Sequence, residues 1–250
     1  MIKYSGAGNT FLIFTDSYEL KEQPKQIERI CTKTSCDGLI FLEAAPHADC
    51  RMRIFNADGY EAQMCGNGLR CVARYLWDHQ EKKPEYLIKS ERGDHRVWAS
   101  PETICCALPD AEVKEWEFSL DLFEGHKGYL VDTSVLHLVL FFQPTDVEKV
   151  GRSICHHPHF APHGVNVNFV TVDKECLHVR TYERGVERET LACGTGSVAS
   201  ALTAAHLFDL PSPMMVKVRS NARLKITFNR WKQIFLEGPA HQLVNKEKIG

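Results

Sequence analysis

The sequence predicts an α/β fold, α+β in arrangement, built from two similar halves. Three observations carry this. A short cysteine motif occurs once in each half, as MCGNGLRC at Met64–Cys71 and as ACGTGSVA at Ala192–Ala199. Strand-like and helix-like segments follow one another in the same order around each copy. A length of 250 residues allows one large domain or two of ordinary size, and the duplication favours two.

The elements of the first half come in a legible order. Phe11 to Thr15 is apolar and aromatic, and Gly38 to Glu43 carries Leu39, Ile40, Phe41 and Leu42 between turn signals, so both read as strands. Between them, Lys25 to Lys33 offers Ile27, Ile30 and Cys31 at helical spacing, with Pro24 at the entry, where proline's missing N–H costs nothing. Arg51 to Phe55 alternates polar and apolar residues and stops at the turn-forming Asn56-Ala57-Asp58-Gly59. Behind the first cysteine motif, Leu69, Val72, Ala73, Leu76 and Trp77 draw an apolar stripe down a helix with one face in a core. Tyr86 to Ser90, Arg96 to Ala99 and Thr103 to Ala107 follow as short strands.

The second half repeats that order. Strands are predicted at Gly128 to Val131 and Val135 to Phe142, then a helix through Val147, Val150 and Ile154, then strands at Val165 to Val172 and Leu177 to Tyr182. A turn at Glu183-Arg184-Gly185 leads to Cys193 and an alanine-rich helix from Ser197 to Phe208, which Pro211 and Pro213 end. Met214 to Arg219, Leu224 to Phe228 and Ile234 to Glu237 finish as strands. The joint between halves is expected after Pro109, with the polar Asp110 to Glu117 stretch running across the surface.

Composition frames the chemistry. With 44% hydrophobic and 25% charged residues, the chain matches an ordinary globular protein with a real core. A net charge of −2 without basic runs argues against nucleic acid or an anionic membrane as partner, which leaves a small molecule. The N-terminus does not read as a secretory signal, and the longest apolar run, Val135 to Phe142, is too short to span a bilayer as a helix. Ten cysteines in such a chain fit a reducing compartment where thiols stay free, so a cytoplasmic location is expected.

In both motifs the cysteine precedes Gly-x-Gly and a helix, which places each thiol at a helix N-terminus. The N–H groups and the positive end of the helix dipole there stabilise a thiolate, and they also grip a carboxylate. A buried cysteine is commonly just a small hydrophobe, and Cys71, Cys31, Cys36, Cys50, Cys105, Cys106 and Cys176 are read that way. A structural role gives no reason for the doubled Gly-x-Gly, whereas glycines let backbone approach a ligand closely. Cys65 and Cys193 are therefore read as a pair that shuttles protons across one carbon. Cys155, His156, His157, His159 and His163 concentrate metal-ligand types, but their spacing fits no standard zinc site and Pro158 and Pro162 suggest an irregular loop, so no metal is assigned. Gly6-Ala7-Gly8 lacks the third glycine of a dinucleotide fingerprint, and no Walker loop is present.

The stretches GAGNTF, FNADG with MCGNGLRC, and YERG with ETLACGTGS together resemble the diaminopimelate epimerase family. They run from Gly6 to Gly196 in the family's order, so the resemblance covers nearly the whole chain. It implies two similar lobes, each a mostly antiparallel β-sheet wrapped around a central helix, with the active site between lobes and the C-terminal segment returning to the first. Residues 1–112 with 239–250 would form the lobe carrying Cys65, and 113–238 the lobe carrying Cys193.

The resemblance implies a cofactor-independent isomerase that interconverts LL- and meso-diaminopimelate, a lysine and peptidoglycan precursor, by two-base thiolate/thiol proton transfer at Cα. Cys65 and Cys193 would be catalytic. Gly66, Asn67, Gly194 and Thr195 would bind the α-carboxylate, and Asn9, Asn56, Asn166, Glu183 and Arg184 the other polar groups, with Arg184 on the distal carboxylate. His137 aligns with a histidine near the thiols. A homodimer is compatible with all of this.

Three departures stand out. Asp37 is followed by Gly38 where the family has glutamine, Val135-Leu136-His137 replaces Asn-Pro-His, and Val186-Glu187-Arg188 is one residue longer than the family's connection. Looser selectivity is therefore expected, extending to another acidic amino acid such as glutamate. The alternatives are a racemase of another amino acid, glutamate or proline-type, and a non-enzymatic amino-acid-binding or redox-sensing module.

Overall fold

The computed structural model describes residues 1–15, 23–62, 64–173 and 176–243. It divides into Met1–Cys106 with Gly238–Gly250, and Ala107–Glu237. The first division falls inside a strand, Ile104–Leu108, slightly before the joint expected after Pro109. Of the C-terminal segment expected in the first lobe, 244–250 lies outside the described residues.

In chain order the elements are β1 (Ile2–Gly6), β2 (Asn9–Phe14), α1 (Pro24–Thr34), β3 (Gly38–Glu43), β4 (Cys50–Asn56), β5 (Glu61–Ala62), α2 (Gly66–His79), β6 (Glu85–Ser90), β7 (Gly93–Ala99) and β8 (Ile104–Leu108). There follow β9 (Glu112–Phe118), β10 (Gly128–Asp132), β11 (Leu136–Leu140), α3 (Val147–Cys155), β12 (Asn166–Val172), β13 (Leu177–Glu183), β14 (Arg188–Glu189), α4 (Gly194–Phe208), β15 (Met214–Val218), β16 (Arg223–Asn229), β17 (Lys232–Gly238) and β18 (Ala240–Gln242).

The first unit is a mostly antiparallel sheet. β18, β1 and β2 pair antiparallel, β2 pairs parallel with β3, β3 antiparallel with β4, β4 parallel with β6, and β6, β7 and β8 close the order antiparallel. The second unit repeats this pairing. β9, β10 and β11 are antiparallel, β11 is parallel to β12, β12 antiparallel to β13, β13 parallel to β15, and β15, β16 and β17 antiparallel. The short β5 and β14 pair with β4 and β13. The strand β18, from the chain's end, thus does for β1 what β9 does for β10.

A helix runs through each sheet. α2 touches β1, β2, β4, β6, β7 and β18, and Gly66 through Arg74 are all buried. α4 touches β10 to β13, β15 and β16, and its residues are buried from Gly196 to Ala204. The alanine-rich α4 has no Asp, Glu, Lys or Arg, and its buried Ser197, Ser200 and Thr203 hydroxyls donate to carbonyls four residues back, which lets it sit in a core. α1 and α3 lie on the other side, each sending one apolar stripe inward: Ile27 and Cys31 in α1, Val147, Ile154 and Cys155 in α3. No described helix is long and apolar enough to cross a membrane.

Five strands were not expected from sequence, among them the two-residue β5 and β14. β1 and β18 are short and of mixed polarity. β9 occupies the stretch expected to cross the surface as a joint, and pairs with β10 despite its charges. Trp116 anchors it, packing edge-on against Tyr129, His206 and Trp231. α4 also begins at Gly194 rather than at Ser197, because the cysteine cap recruits the glycines into the first helical turn.

Candidate active site

The β1–β2 connection is a two-residue hairpin in which Ala7 and Gly8 both take positive φ, 55° and 101°. A twist-matched tight turn needs this, and it accounts for the glycine in GAGNTF. Gly6 is constrained differently: a Cβ there would lie 2.6 Å from the Asn67 carbonyl oxygen. β1 can therefore press against the start of α2, and the turn delivers Asn9 at the head of β2. Asn9 Oδ1 is buried with no hydrogen-bond partner among the described residues. Asn56 ends β4, opposite Gly38, where a Cβ would meet the Phe55 carbonyl oxygen at 2.5 Å.

Cys65 is the N-cap of α2. Its backbone is extended (φ −145°, ψ 116°), its carbonyl accepts from Leu69 N at 2.8 Å, and its Sγ accepts from Gly68 N at 3.4 Å. Sulfur here takes the place that a serine or aspartate oxygen fills in an ordinary cap. The first four N–H groups of a helix have no acceptor within it, and in α2 they begin with Gly66 and Asn67. Asn67 Oδ1 accepts from Arg70 Nη2 at 2.6 Å, and this arginine is wholly buried. Cys71 is core: burial pushes its thiol well up.

Cys193 caps α4 in the same way (φ −120°, ψ 113°), with Sγ accepting from Gly196 N at 3.4 Å and the carbonyl accepting from Ser197 N at 3.0 Å. Gly194 and Thr195 supply the first-turn N–H groups. Thr195 Oγ1 lies 3.6 Å from Cys193 Sγ and 2.9 Å from His137 Nε2. His137 has no exposed surface, and burial, with Arg184 acting in the same direction, lowers its pKa to about 3. The ring is neutral.

Asn166 stands beside His137 in register and spans two elements, its Nδ2 donating to the Leu136 carbonyl at 3.0 Å and its Oδ1 accepting from Arg184 N at 3.0 Å. Arg184 Nη1 donates to the carbonyls of His163 and Gly164. Glu183 Oε1 accepts from the Thr190 hydroxyl at 2.5 Å. Glu187, in the lengthened connection, accepts from Gly185 N, Tyr182 Oη and His156, which pins the turn carrying Glu183 and Arg184.

Among the metal-ligand types near Cys155, only Cys155 and His156 converge, joined by Glu187 rather than by the neighbouring histidines. His159 instead binds Glu115 and stacks on Phe118. The carboxylate of Glu187 is already used in holding its turn. Asp173, Cys176 and His178 form a second, more exposed trio.

None of the ten cysteines is in a disulfide. Cys31 and Cys36 share a hydrogen bond that lowers the Cys36 thiol and raises its partner, a pairing that sequence spacing did not suggest. Sequence reasoning also missed Asn168 and Thr181. They are wholly and almost wholly buried, with Thr181 Oγ1 donating to Asn168 Oδ1 at 3.0 Å beneath Gly196.

The family model described as diaminopimelate epimerase matches residues 1–103 and 129–243. A diaminopimelate epimerase of Hydrogenobaculum sp. is 37% identical over 262 residues, covering 95% of this chain and 94% of the relative. One of Chlamydia muridarum is 38% identical, covering 99% and 93%, and one of Methanothrix thermoacetophila 34%, covering 96% and 92%. Among solved structures, a phenazine biosynthesis protein of the PhzF family from Bacillus anthracis aligns with TM-score 0.76 at 17% identity, over 97% of this chain and 96% of that one. A probable proline racemase from Agrobacterium radiobacter K84 aligns with TM-score 0.69 at 15% identity, over 99% and 93%. These two likenesses show the fold alone.

Proposed function

We propose, because this chain belongs to the diaminopimelate epimerase family, that it interconverts LL- and meso-diaminopimelate by proton transfer at one Cα with Cys65 and Cys193 as the two bases. The observation that carries the reading is the twin cap: two cysteines, one per unit, each extended at the N-terminus of a buried helix and each accepting from the N–H three residues on. A thiol so placed is acidified by the helix end. The same ends offer Gly66, Asn67, Gly194 and Thr195 N–H groups to the α-carboxylate.

The chemical demand is high. An amino-acid α-proton is very weakly acidic, and the carbanion formed on its removal delocalises into the carboxylate. Fixed donors aimed at that carboxylate stabilise the transition state without reorganising. One sulfur takes the proton as thiolate, and the other, as thiol, gives its own to the opposite face. The roles exchange for the other stereoisomer.

The distal end of the substrate carries a second ammonium and carboxylate. Arg184 is assigned to the carboxylate, with its backbone held by Asn166 and its turn by Glu187. Asn9 Oδ1, buried with no donor among the described residues, suits the distal ammonium. Asn56 and Glu183, ending equivalent strands, complete the set, and His137 acts through Thr195. Gly38 leaves no side chain where the family has glutamine, which supports a wider choice of acidic amino acids. Ten cysteines outside disulfides agree with a cytoplasmic location.

The test is solvent deuterium wash-in at Cα, followed by mass spectrometry, for diaminopimelate, glutamate and unrelated amino acids. Diaminopimelate should exchange fastest and glutamate measurably. Exchange of diaminopimelate no faster than that of unrelated amino acids would remove the reading.

A further inference from the structure

The two helix ends are built on equivalent positions with different chemistry. In the first unit, Ile40 and Ile54 are cross-strand partners, and a Cβ on Gly68 would meet their Cδ1 atoms at 3.2 and 2.8 Å. In the second unit, Asn168 and Thr181 are the matching partners, and a Cβ on Gly196 would overlap Asn168 Oδ1. The register also pairs Phe11 with Gly38 where His137 pairs with Asn166, so Phe11 is the counterpart of His137. Phe11, Ile40 and Ile54 carry no polar side-chain atom. The second unit has three polar groups in their stead.

Donors and acceptors along that second set have one consistent direction. Asn168 Nδ2 lies 3.0 Å from the Leu138 carbonyl oxygen, which can only accept, so the carboxamide orientation is fixed. The same Nδ2 lies 3.1 Å from His137 Nδ1. Nδ1 therefore accepts, and the neutral ring carries its proton on Nε2. Nε2–H donates to Thr195 Oγ1 at 2.9 Å. A hydroxyl has one proton; with its oxygen accepting from the ring, Thr195 can direct that proton to Cys193 Sγ, 3.6 Å away. In the opposite tautomer the ring would consume the hydroxyl proton and leave none for sulfur.

We propose that Asn168 is a positioning residue which, through His137 and Thr195, keeps a hydroxyl proton directed at Cys193 Sγ and so stabilises the thiolate of that cysteine in particular. A donor to an ionised acceptor is worth more than one to a neutral group, and a hydroxyl that itself accepts is a better donor. The proposal rests on the reading of Cys193 as a proton-transfer thiol.

Other charges around this end do not replace the relay. Arg184 acts on His137 and favours its neutral form. Glu183 is taken by Thr190, Glu189 is paired with Arg180 and Arg219, and the first turn of α4 carries no acid. Asp132, His178, Lys217, Arg223 and Lys225, on strands touching α4, are all at least partly exposed.

The test is the pH dependence of iodoacetamide alkylation, resolved by peptide mass mapping on the full chain, with Cys65 as internal reference. In Thr195→Val, alkylation of Cys193 below its midpoint should slow about tenfold and the midpoint should rise, while Cys65 keeps its profile. Thr195→Ser should restore the wild-type profile. Asn168→Leu, which removes the Nδ2 donor and frees the ring tautomer without adding a charge, should raise the Cys193 midpoint with the hydroxyl intact. An unmoved Cys193 midpoint in Thr195→Val, or an equal shift at Cys65, would overturn the proposal. An unmoved Cys193 midpoint in Asn168→Leu, or in Asn168→Ala should the leucine variant not fold, would overturn the role given to Asn168. Alkylation needs no substrate, so a wild-type chain that shows this pattern without epimerising diaminopimelate removes the functional reading and keeps the relay.

Discussion

Cys193 Sγ accepts from Gly196 N across 3.4 Å, and Cys65 Sγ accepts from Gly68 N across the same distance. The two helix ends are copies in backbone and sulfur placement. They differ in what lies beneath the second glycine of each motif, and the consequences can be measured.

Alanine at those glycines should have unequal effects. At Gly68 the added methyl meets the tips of Ile54 and Ile40, which can rotate away, and the gain in helix propensity offsets part of the crowding. At Gly196 it meets the carboxamide of Asn168, which Leu138, His137 and Thr181 hold in place. Gly196→Ala should cost about 1–3 kcal/mol and Gly68→Ala less, as read from urea unfolding. Equal costs would contradict the difference in rigidity.

Acid should weaken the fold through His137. Its pKa is near 6.5 in an unfolded chain and about 3 in the folded one, so between these values the unfolded state binds a proton that the native state excludes. The stability contributed by neutral His137 is complete above about pH 6.5 and falls by roughly 1.4 kcal/mol per pH unit below it. His95 is shifted the same way by burial. Unfolding free energies at pH 7 and 5 should differ by about 2 kcal/mol less in His137→Gln than in wild type.

Restoring the family's glutamine should fail. In Gly38→Gln the Cβ would sit 2.5 Å from the Phe55 carbonyl, a backbone atom that cannot rotate aside. A loss of about 1–3 kcal/mol is expected, read as a lower melting temperature, with no gain in selectivity for diaminopimelate over glutamate. A stable, more selective variant would show that the strand pair can open to admit the side chain.

Arg74 should hold the returning C-terminal strand. Its guanidinium donates to the carbonyls of Ala240, Ser100 and Pro101 from a nearly buried position. Arg74→Met keeps the stem and removes all three donors, leaving the carbonyls unsatisfied at a cost of about 1–3 kcal/mol. Hydrogen exchange should rise first in β18.

Much of this was legible in the sequence where the local signal is strong. Gly38 to Glu43 is a continuous apolar run between turns, and the strand has those bounds. The cysteines and their glycines were legible through duplication. What escaped has a physical reason in each case. Glycine is a poor helix former, so α4 reads from Ser197 until the cap chemistry of Cys193 is counted. The acidic β9 is a strand because Trp116 and pairing with β10 override its propensity. Asn168 lies in the run NVNFVTV, where nothing local separates a buried relay from a strand residue; only its register opposite Thr181 and beneath Gly196 does so.

The two-base claim is tested most directly by converting LL-diaminopimelate in deuterium oxide and measuring label at Cα at low conversion. Paired thiols predict about one deuterium in each meso product and none in the unreacted LL substrate, with activity falling by at least about a hundredfold in Cys65→Ser and in Cys193→Ser. Equal label in substrate and product, or turnover that survives the loss of either sulfur, would contradict it.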